Sequence, residues 1–283
     1  INPSGGRCRS AVQPFSPWVG RFLAPLTGLR IGMTQPQLND LIITAGDEHA
    51  MLEALADWGV FVIPEAVPTR ELEQLTGEFK AAIHTKDATC LQLTPYSSGH
   101  CARIRRAASA SEFPAITASF GRPWMDSLAK AFFHAPHNFN AEVFAVHDVV
   151  GSKHVANDLH FDMQPTLKFF LYLTDTDARN GAFRCVPGSH RESEQQRRKF
   201  GGRRLKAEER GMTRRLDVPE ADQLVMSGAA GSMIVFWTET LHRAGFVSEG
   251  ERLVLRGHTR RETFLQSVKN WMASTLPVNA IWR

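Results

Sequence analysis

The chain of 283 residues has four cysteines, no long apolar run and no acid in its first 39 positions, and each shortage removes a class of protein. Cys8, Cys90, Cys101 and Cys185 are widely spaced and form no Cys-x-x-Cys pair. That excludes a zinc ribbon or dithiol redox centre and argues against a disulfide-stapled secreted domain. Reduced thiols in a cytoplasmic protein are the expectation, although Cys90 and Cys101 could meet across a hairpin. No stretch approaches the roughly 20 apolar residues that cross a bilayer, so no membrane span is expected. Residues 1–39 carry Arg7, Arg9, Arg21 and Arg30 among serines and prolines. The composition is that of a transit segment within 1–32, but Met33 is a plausible initiator, and a fragment boundary or upstream translated sequence is the simpler reading. Residues 1–45 are therefore read as an extension and 46–283 as a single domain. The end, Ala280-Ile281-Trp282-Arg283, lacks the peroxisomal Ser-Lys-Leu address.

What is present is enough apolar material, 43% of residues, for one substantial core. Met51, Leu52 and Leu55 place a helix over 47–57, closing before Gly59, and Val60 to Ile63 form a short buried strand. Thr69 is the expected N-cap of a helix to about Ile83, with Leu72, Leu75 and Phe79 on one face. Pro123 suits the first turn of a helix from Trp124 to about Phe133. Strands follow at Glu142 to Val150, Leu167 to Leu173, Phe183 to Val186, Ser232 to Trp237 and Arg252 to His258, separated by Gly, Pro, Asn and Asp. Helices first and short strands afterwards predict an α+β fold. Its core is expected to be an antiparallel jelly roll, a double-stranded β-helix of the cupin-like kind, with N-terminal and flanking helices.

The chemistry centres on His160-Phe161-Asp162, with His242 a further 82 residues on and Arg252 ten beyond that. Two imidazoles and a carboxylate can hold one face of an octahedral metal and leave the other positions open, as in non-haem Fe(II) oxygenases. With 11 histidines about one His-x-Asp/Glu arises by chance, and there are two, the second being His190-Arg191-Glu192. Strand geometry separates them. Side chains two apart on a strand share a face, so His160 and Asp162 can converge, whereas Pro187-Gly188 puts His190 and Glu192 on a turn and its exit. His190 is given a packing or hydrogen-bonding role.

The ordered set Asn157-Asp158-Leu159-His160-Phe161-Asp162, Asn180-Gly181, Pro187-Gly188-Ser189-His190, Gly231-Ser232, Leu241-His242 and Arg252 resembles the phytanoyl-CoA dioxygenase-like family of Fe(II)/2-oxoglutarate oxygenases. The resemblance covers about 157–256, with a weaker match at Asp57 to Pro64. It implies Fe(II) on His160, Asp162 and His242, with 2-oxoglutarate and O2 at the open positions. Release of succinate and CO2 would accompany hydroxylation of an unactivated C–H bond in a small organic substrate. An aspartate at 162, where related halogenases carry a small residue, points to hydroxylation. The resemblance also assigns Arg252 to the distal carboxylate of 2-oxoglutarate, with Ser248 nearby; a guanidinium makes the two parallel hydrogen bonds that a lysine cannot. Arg256 fits the family spacing less well and reads as a surface or substrate residue. Thr166 and Lys168 follow the metal motif closely enough to line the pocket, or are an ordinary polar pair on a strand.

Between Arg191 and Arg215 lie ten Lys or Arg against four Glu. A lid recognising an anionic substrate and a merely solvated basic helix explain this equally well. A different class of function, a non-catalytic jelly roll binding a ligand or nucleic acid through 191–215, is disfavoured because the segment lacks interleaved aromatics.

Overall fold

The computed structural model describes residues 35–84, 90–92, 99–200, 212–215 and 217–262. The transit-like segment and Met33 fall outside these, as do Arg203, Arg204, Lys206 and Arg210 of the basic stretch. A 3-10 turn at Leu38–Leu41, inside the segment read as an extension, buries Leu41 completely, and Ile43 donates its amide to the Val62 carbonyl at 2.8 Å.

Asp47 caps α1 (Glu48–Asp57) by accepting the Ala50 amide at 3.1 Å, which satisfies one of the donors a helix start leaves open. The chain turns at Gly59, whose φ is +72°, and enters β1 (Val60–Ile63). A Cβ there would overlap the Thr240 hydroxyl and the His190 ring, so only glycine lets this turn approach them. The next helix, α2 (Thr69–Ala82), has Pro68 at the N-cap and Thr69 as its first helical residue, so it begins one residue earlier than the sequence suggested. Then come β2 (Cys90–Gln92), β3 (His100–Arg105), α3 (Pro114–Ala118), α4 (Pro123–Phe133) and β4 (His137–Phe139). The β2–β3 hairpin sets Cys90 against Ile104, and Cys101, a buried thiol, is not bridged to it. The core elements are β5 (Glu142–Val149), β6 (His160–Asp162), β7 (Leu167–Tyr172), β8 (Phe183–Val186), α5 (His190–Phe200) and β9 (Met212–Arg214). The last are β10 (Leu224–Met226), β11 (Met233–Trp237), β12 (Leu241–Arg243) and β13 (Glu251–Arg261).

Two antiparallel sheets face each other. The larger runs β1-β11-β7-β13-β5-β3-β2, with β4 also on β13; the smaller runs β10-β8-β12-β6-β9. From β5 to β8 the chain changes sheet at every strand, and it does so again from β10 to β13. That alternation winds a double-stranded β-helix, as the order of short strands predicted.

The run Leu167 to Leu173 is apolar almost throughout because the large sheet is covered on both faces. Leu167, Phe169 and Leu171 point outward with Val235, Leu253 and Leu255 against Leu55, Phe79, Ile116 and Leu128 of the helices. Phe170 and Tyr172 point inward with Val146, Val254, Ile234 and Phe236 toward Phe183 and Cys185 of the small sheet. Each fully buried side chain of this size contributes about 1.5–3 kcal/mol, so both apolar layers hold the two facing sheets and the helices together. Among the described residues, no helix is long and apolar enough to cross a membrane.

Candidate metal centre

Three donors converge in the barrel. His160 and His242 are directly opposite in the β6–β12 register, with ring centres 4.4 Å apart, and Asp162 shares the inward face of β6 with His160. One ligand atom from each of the three lies within 4.8 Å of the others. Phe161, between the two β6 donors, points the opposite way and is fully buried with Leu159, Val186 and Leu241, anchoring the strand so that its neighbours face the interior.

The donor chemistry suits a divalent metal. His160 Nδ1 lies 2.7 Å from the Asp158 carbonyl and His242 Nδ1 lies 2.7 Å from the Thr240 carbonyl. A carbonyl only accepts, so each Nδ1 carries the proton and each Nε2 presents a lone pair. Burial draws both imidazoles below their ordinary pKa, which keeps them neutral. Burial pushes the Asp162 carboxyl up, but the Lys168 ammonium bonded to it outweighs this and holds it well below the usual carboxylate range. Lys168 Nζ donates to Asp162 Oδ2 at 2.6 Å, while Oδ1 lies 3.7 Å from His160 Nε2. One carboxylate oxygen is thus tied back and the other turned toward the imidazoles.

The remaining residues singled out in the sequence separate. Lys168 is part of the site. Thr166 lies at its edge: its amide donates to Thr238 Oγ1 at 2.8 Å, and its own buried hydroxyl has no hydrogen-bond partner among the described residues. Ser248 does not face the donors; it is exposed, with its hydroxyl on the Arg179 carbonyl at 2.9 Å. Arg252 is 2% exposed and faces inward, but it already has a carboxylate. Its Nη2 lies 2.5 Å from Asp148 Oδ2, and Nη1 donates to the Gly181 carbonyl. His190 begins α5 and sets Nε2 3.2 Å from the Ala56 carbonyl, the packing role expected of it.

Arg256 and His258, which the sequence reading did not place in the site, lie near it. Both share the inward face of β13 with Arg252 and Val254. The Arg256 guanidinium lies 4.6 Å from the centre of the Phe144 ring, and His258 stacks on the same ring at 5.0 Å. The two-residue period of β13 could have revealed this, since it puts 252, 254, 256 and 258 on one face.

Five of the cations among the described residues of the basic stretch pair with carboxylates of the protein itself. Arg191 pairs with Asp57, Arg198 with Glu194, Arg214 with Asp158, and Arg215 with Asp217 and Glu192. Arg197 reaches Glu239, a buried carboxylate that also accepts Trp237 Nε1 at 2.8 Å. This pair fastens α5 to the turn that delivers His242.

A double-stranded β-helix with two histidines and one carboxylate at its mouth defines a mononuclear-metal oxygenase class of protein. The chain belongs to the phytanoyl-CoA dioxygenase (PhyH) family, whose model matches residues 56–254, and is thereby an oxygenase-type enzyme dependent on Fe(II) and 2-oxoglutarate. No curated protein matches it in sequence. Among solved structures, the epimerase SnoN in complex with Fe3+, alpha ketoglutarate and nogalamycin RO is 15% identical with a TM-score of 0.54, over 76% of this chain and 83% of that one. HygX from Streptomyces hygroscopicus, with nickel, 2-oxoglutarate and hygromycin B bound, is 16% identical with a TM-score of 0.53, over 76% and 88%. EvdO2 from Micromonospora carbonacea var. aurantiaca, complexed with 2-oxoglutarate, is 15% identical with a TM-score of 0.51, over 77% and 92%. At such identities the likeness is one of fold.

Proposed function

We propose that His160, Asp162 and His242 hold Fe(II) and that the protein hydroxylates an unactivated C–H bond of a small organic anion, with 2-oxoglutarate converted to succinate and CO2. The observation that carries this is the pair of Nδ1 contacts to backbone carbonyls, which turns both Nε2 lone pairs toward an ionised Asp162. When bound, the metal and 2-oxoglutarate supply the oxidising power; the chain supplies orientation, charge and exclusion of water.

Lys168 fixes Asp162 in the orientation that leaves one oxygen for a metal. Phe183 and Phe236 pack beside the His242 ring, with centres 5.8 and 4.8 Å away, limiting its rotation and keeping water from that side. The carboxylate at 162 supports hydroxylation over halogenation, because the position an added halide would take is filled. An anionic substrate is supported by the charge balance of the inward side chains: Lys168, Arg252 and the half-buried Arg256 outnumber Asp162 and Asp148 by one, and Fe(II) with a 2-oxoglutarate dianion adds no net charge.

The test is anaerobic addition of Fe(II) and 2-oxoglutarate, followed by oxygen. A weak visible charge-transfer band and then succinate are expected, and with the right substrate a product heavier by one oxygen atom. Absence of both the band and succinate refutes the oxygenase reading; succinate with an isomerised or cyclised product refutes only the hydroxylation.

A further inference from the structure

One turn holds both arms of the donor set. Between β11 and β12 the chain reverses over Thr238, Glu239 and Thr240, each no more than 1% exposed. The Thr238 carbonyl accepts the Asp162 amide at 2.9 Å. Thr238 also exchanges two bonds with Thr166, through its amide at 3.0 Å and its hydroxyl oxygen at 2.8 Å. The Thr240 carbonyl accepts His242 Nδ1 at 2.7 Å. One carbonyl thus places the strand that carries His160 and Asp162, and the other sets the rotation of the His242 ring. Their mutual orientation is governed by the dihedrals of residues 239 and 240, the soft coordinates of the backbone between them. Thr240 is pinned on its own account, by its hydroxyl on the Gly59 carbonyl at 3.0 Å and its amide on the Trp237 carbonyl at 2.9 Å.

Residue 239 is pinned through its side chain. Glu239 Oε1 accepts Arg197 Nε from α5, and Oε2 accepts Trp237 Nε1 at 2.8 Å. Trp237 in turn meets the rings of Phe132 and Phe133 on α4 edge to face, with centres 5.1 and 5.8 Å away. A second tie from the α5 side lies just ahead of that helix, where Ser189 Oγ accepts the Leu241 amide at 2.8 Å. The α5 segment therefore grips the chain on both sides of Thr240. A carboxylate is a costly group with which to fill a buried position, since an apolar side chain packs there without desolvation. What the carboxylate adds is direction: each oxygen is fixed by a separate donor, so the turn has one conformation.

Resting on the reading that His160, Asp162 and His242 bind Fe(II), we infer that Glu239 is a positioning residue of the metal centre, and that Arg197 of α5 acts on the metal through it. Neither residue is a donor. The basic helix is then part of the support of the metal site, and metal binding and the hold of α5 on the barrel favour each other.

Co(II) serves as the probe, because it takes the same donors and its ligand-field bands report their arrangement. Affinity is measured by calorimetry on the full chain, and the visible spectrum is recorded at saturation. The parent should bind one equivalent. Glu239→Gln keeps an acceptor for Trp237 but drops the charge that holds Arg197. It should raise the Kd about 10-fold, the lower end of what outer partners of metal ligands contribute, and shift the saturated bands. Arg197→Met should act in the same direction, and Arg197→Met/Glu239→Gln should do no more than the larger of the two, because all three break one link. Arg198→Met removes an exposed pair with Glu194 on the same helix and should leave affinity and bands at the parent's values. Thermal melting of the metal-free variants separates loosening from mispositioning. Arg197→Met leaves a buried carboxylate unpaired and should melt lower, whereas the double variant has no unpaired charge and should recover its melting while its Kd stays raised. Parent affinity and bands in both single variants overturn the inference. So does a double variant whose effect is the product of the two singles, or whose Kd recovers with its melting. Should Glu239→Gln not fold, Arg197→Met and the double variant decide. A parent that binds no Co(II) overturns the metal reading itself, which is a separate failure.

Discussion

Replacing Asp148 with alanine tests how the interior holds its charges. Asp148 and Arg252 are 7% and 2% exposed, and their charged atoms lie 2.5 Å apart between β5 and β13. Removing the carboxylate leaves a buried guanidinium with, among the described residues, only the Gly181 carbonyl as acceptor, because Arg252 Nε has no partner there. Breaking a buried pair from one side costs about 3–5 kcal/mol. For a domain of this size about 2–4 °C accompanies each kcal/mol, so Tm should fall by roughly 6–20 °C. Differential scanning calorimetry at pH 7 on metal-free and ligand-free protein measures it. The double variant Asp148→Leu/Arg252→Met should recover most of the loss, since apolar side chains of similar volume often replace a buried pair at little cost. A single variant within about 1 kcal/mol of the parent would show that the pair is loose or hydrated, and a double variant as unstable as the single would show that shape, not charge, governs the position.

Three further outcomes follow from named contacts. His242→Ala should abolish stoichiometric Fe(II) binding, measured by metal analysis after desalting, while the far-ultraviolet spectrum persists; full iron content would remove His242 from the donor set. Burial lowers the pKa of His154, His160, His190, His242 and His258, so at pH below about 6.5 the unfolded chain takes up protons that the folded chain refuses. Stability of the metal-free protein is therefore complete above pH 6.5 and falls as pH is lowered, by up to about 1.4 kcal/mol per pH unit for each histidine, in urea titrations between pH 7 and 5; a flat profile contradicts the burial. Gly257→Ala should destabilise by about 1–3 kcal/mol through overlap with Phe120, and Phe120→Leu in the same chain should restore part of it; an unchanged melting curve would mean that β13 is not pressed against the helical layer.

Much of this molecule was legible in the linear chain because its signals are local. Met51, Leu55, Leu75 and Phe79 repeat at helical spacing, and the helices stand where that repeat puts them. Leu167 to Tyr172 reads as a doubly buried strand and is one. His160, Asp162 and His242, picked out by a two-residue period and by family order, are brought within 4.8 Å. The sequence was less informative where the pattern is weak. The three-residue strands β9, β10 and β12 are too short to show a period, and the polar segment that holds α5 read equally well as a lid or a solvated basic helix.

Tertiary structure alone decided which charges meet. Nothing near Arg252 in the chain announces Asp148, 104 residues earlier, as its partner; β5 and β13 must pair in one register before that carboxylate can reach it. The same strand puts Arg256, read from the sequence as a surface or substrate residue, on its inward face opposite Phe170 and leaves Ser248 exposed on the loop before it. The chain specifies which residues alternate along each strand, because alternation is a property of neighbours. Pairing between strands distant in the chain is a property of the folded sheets, and there the ionic partners, and so the chemistry open to each arginine, are assigned.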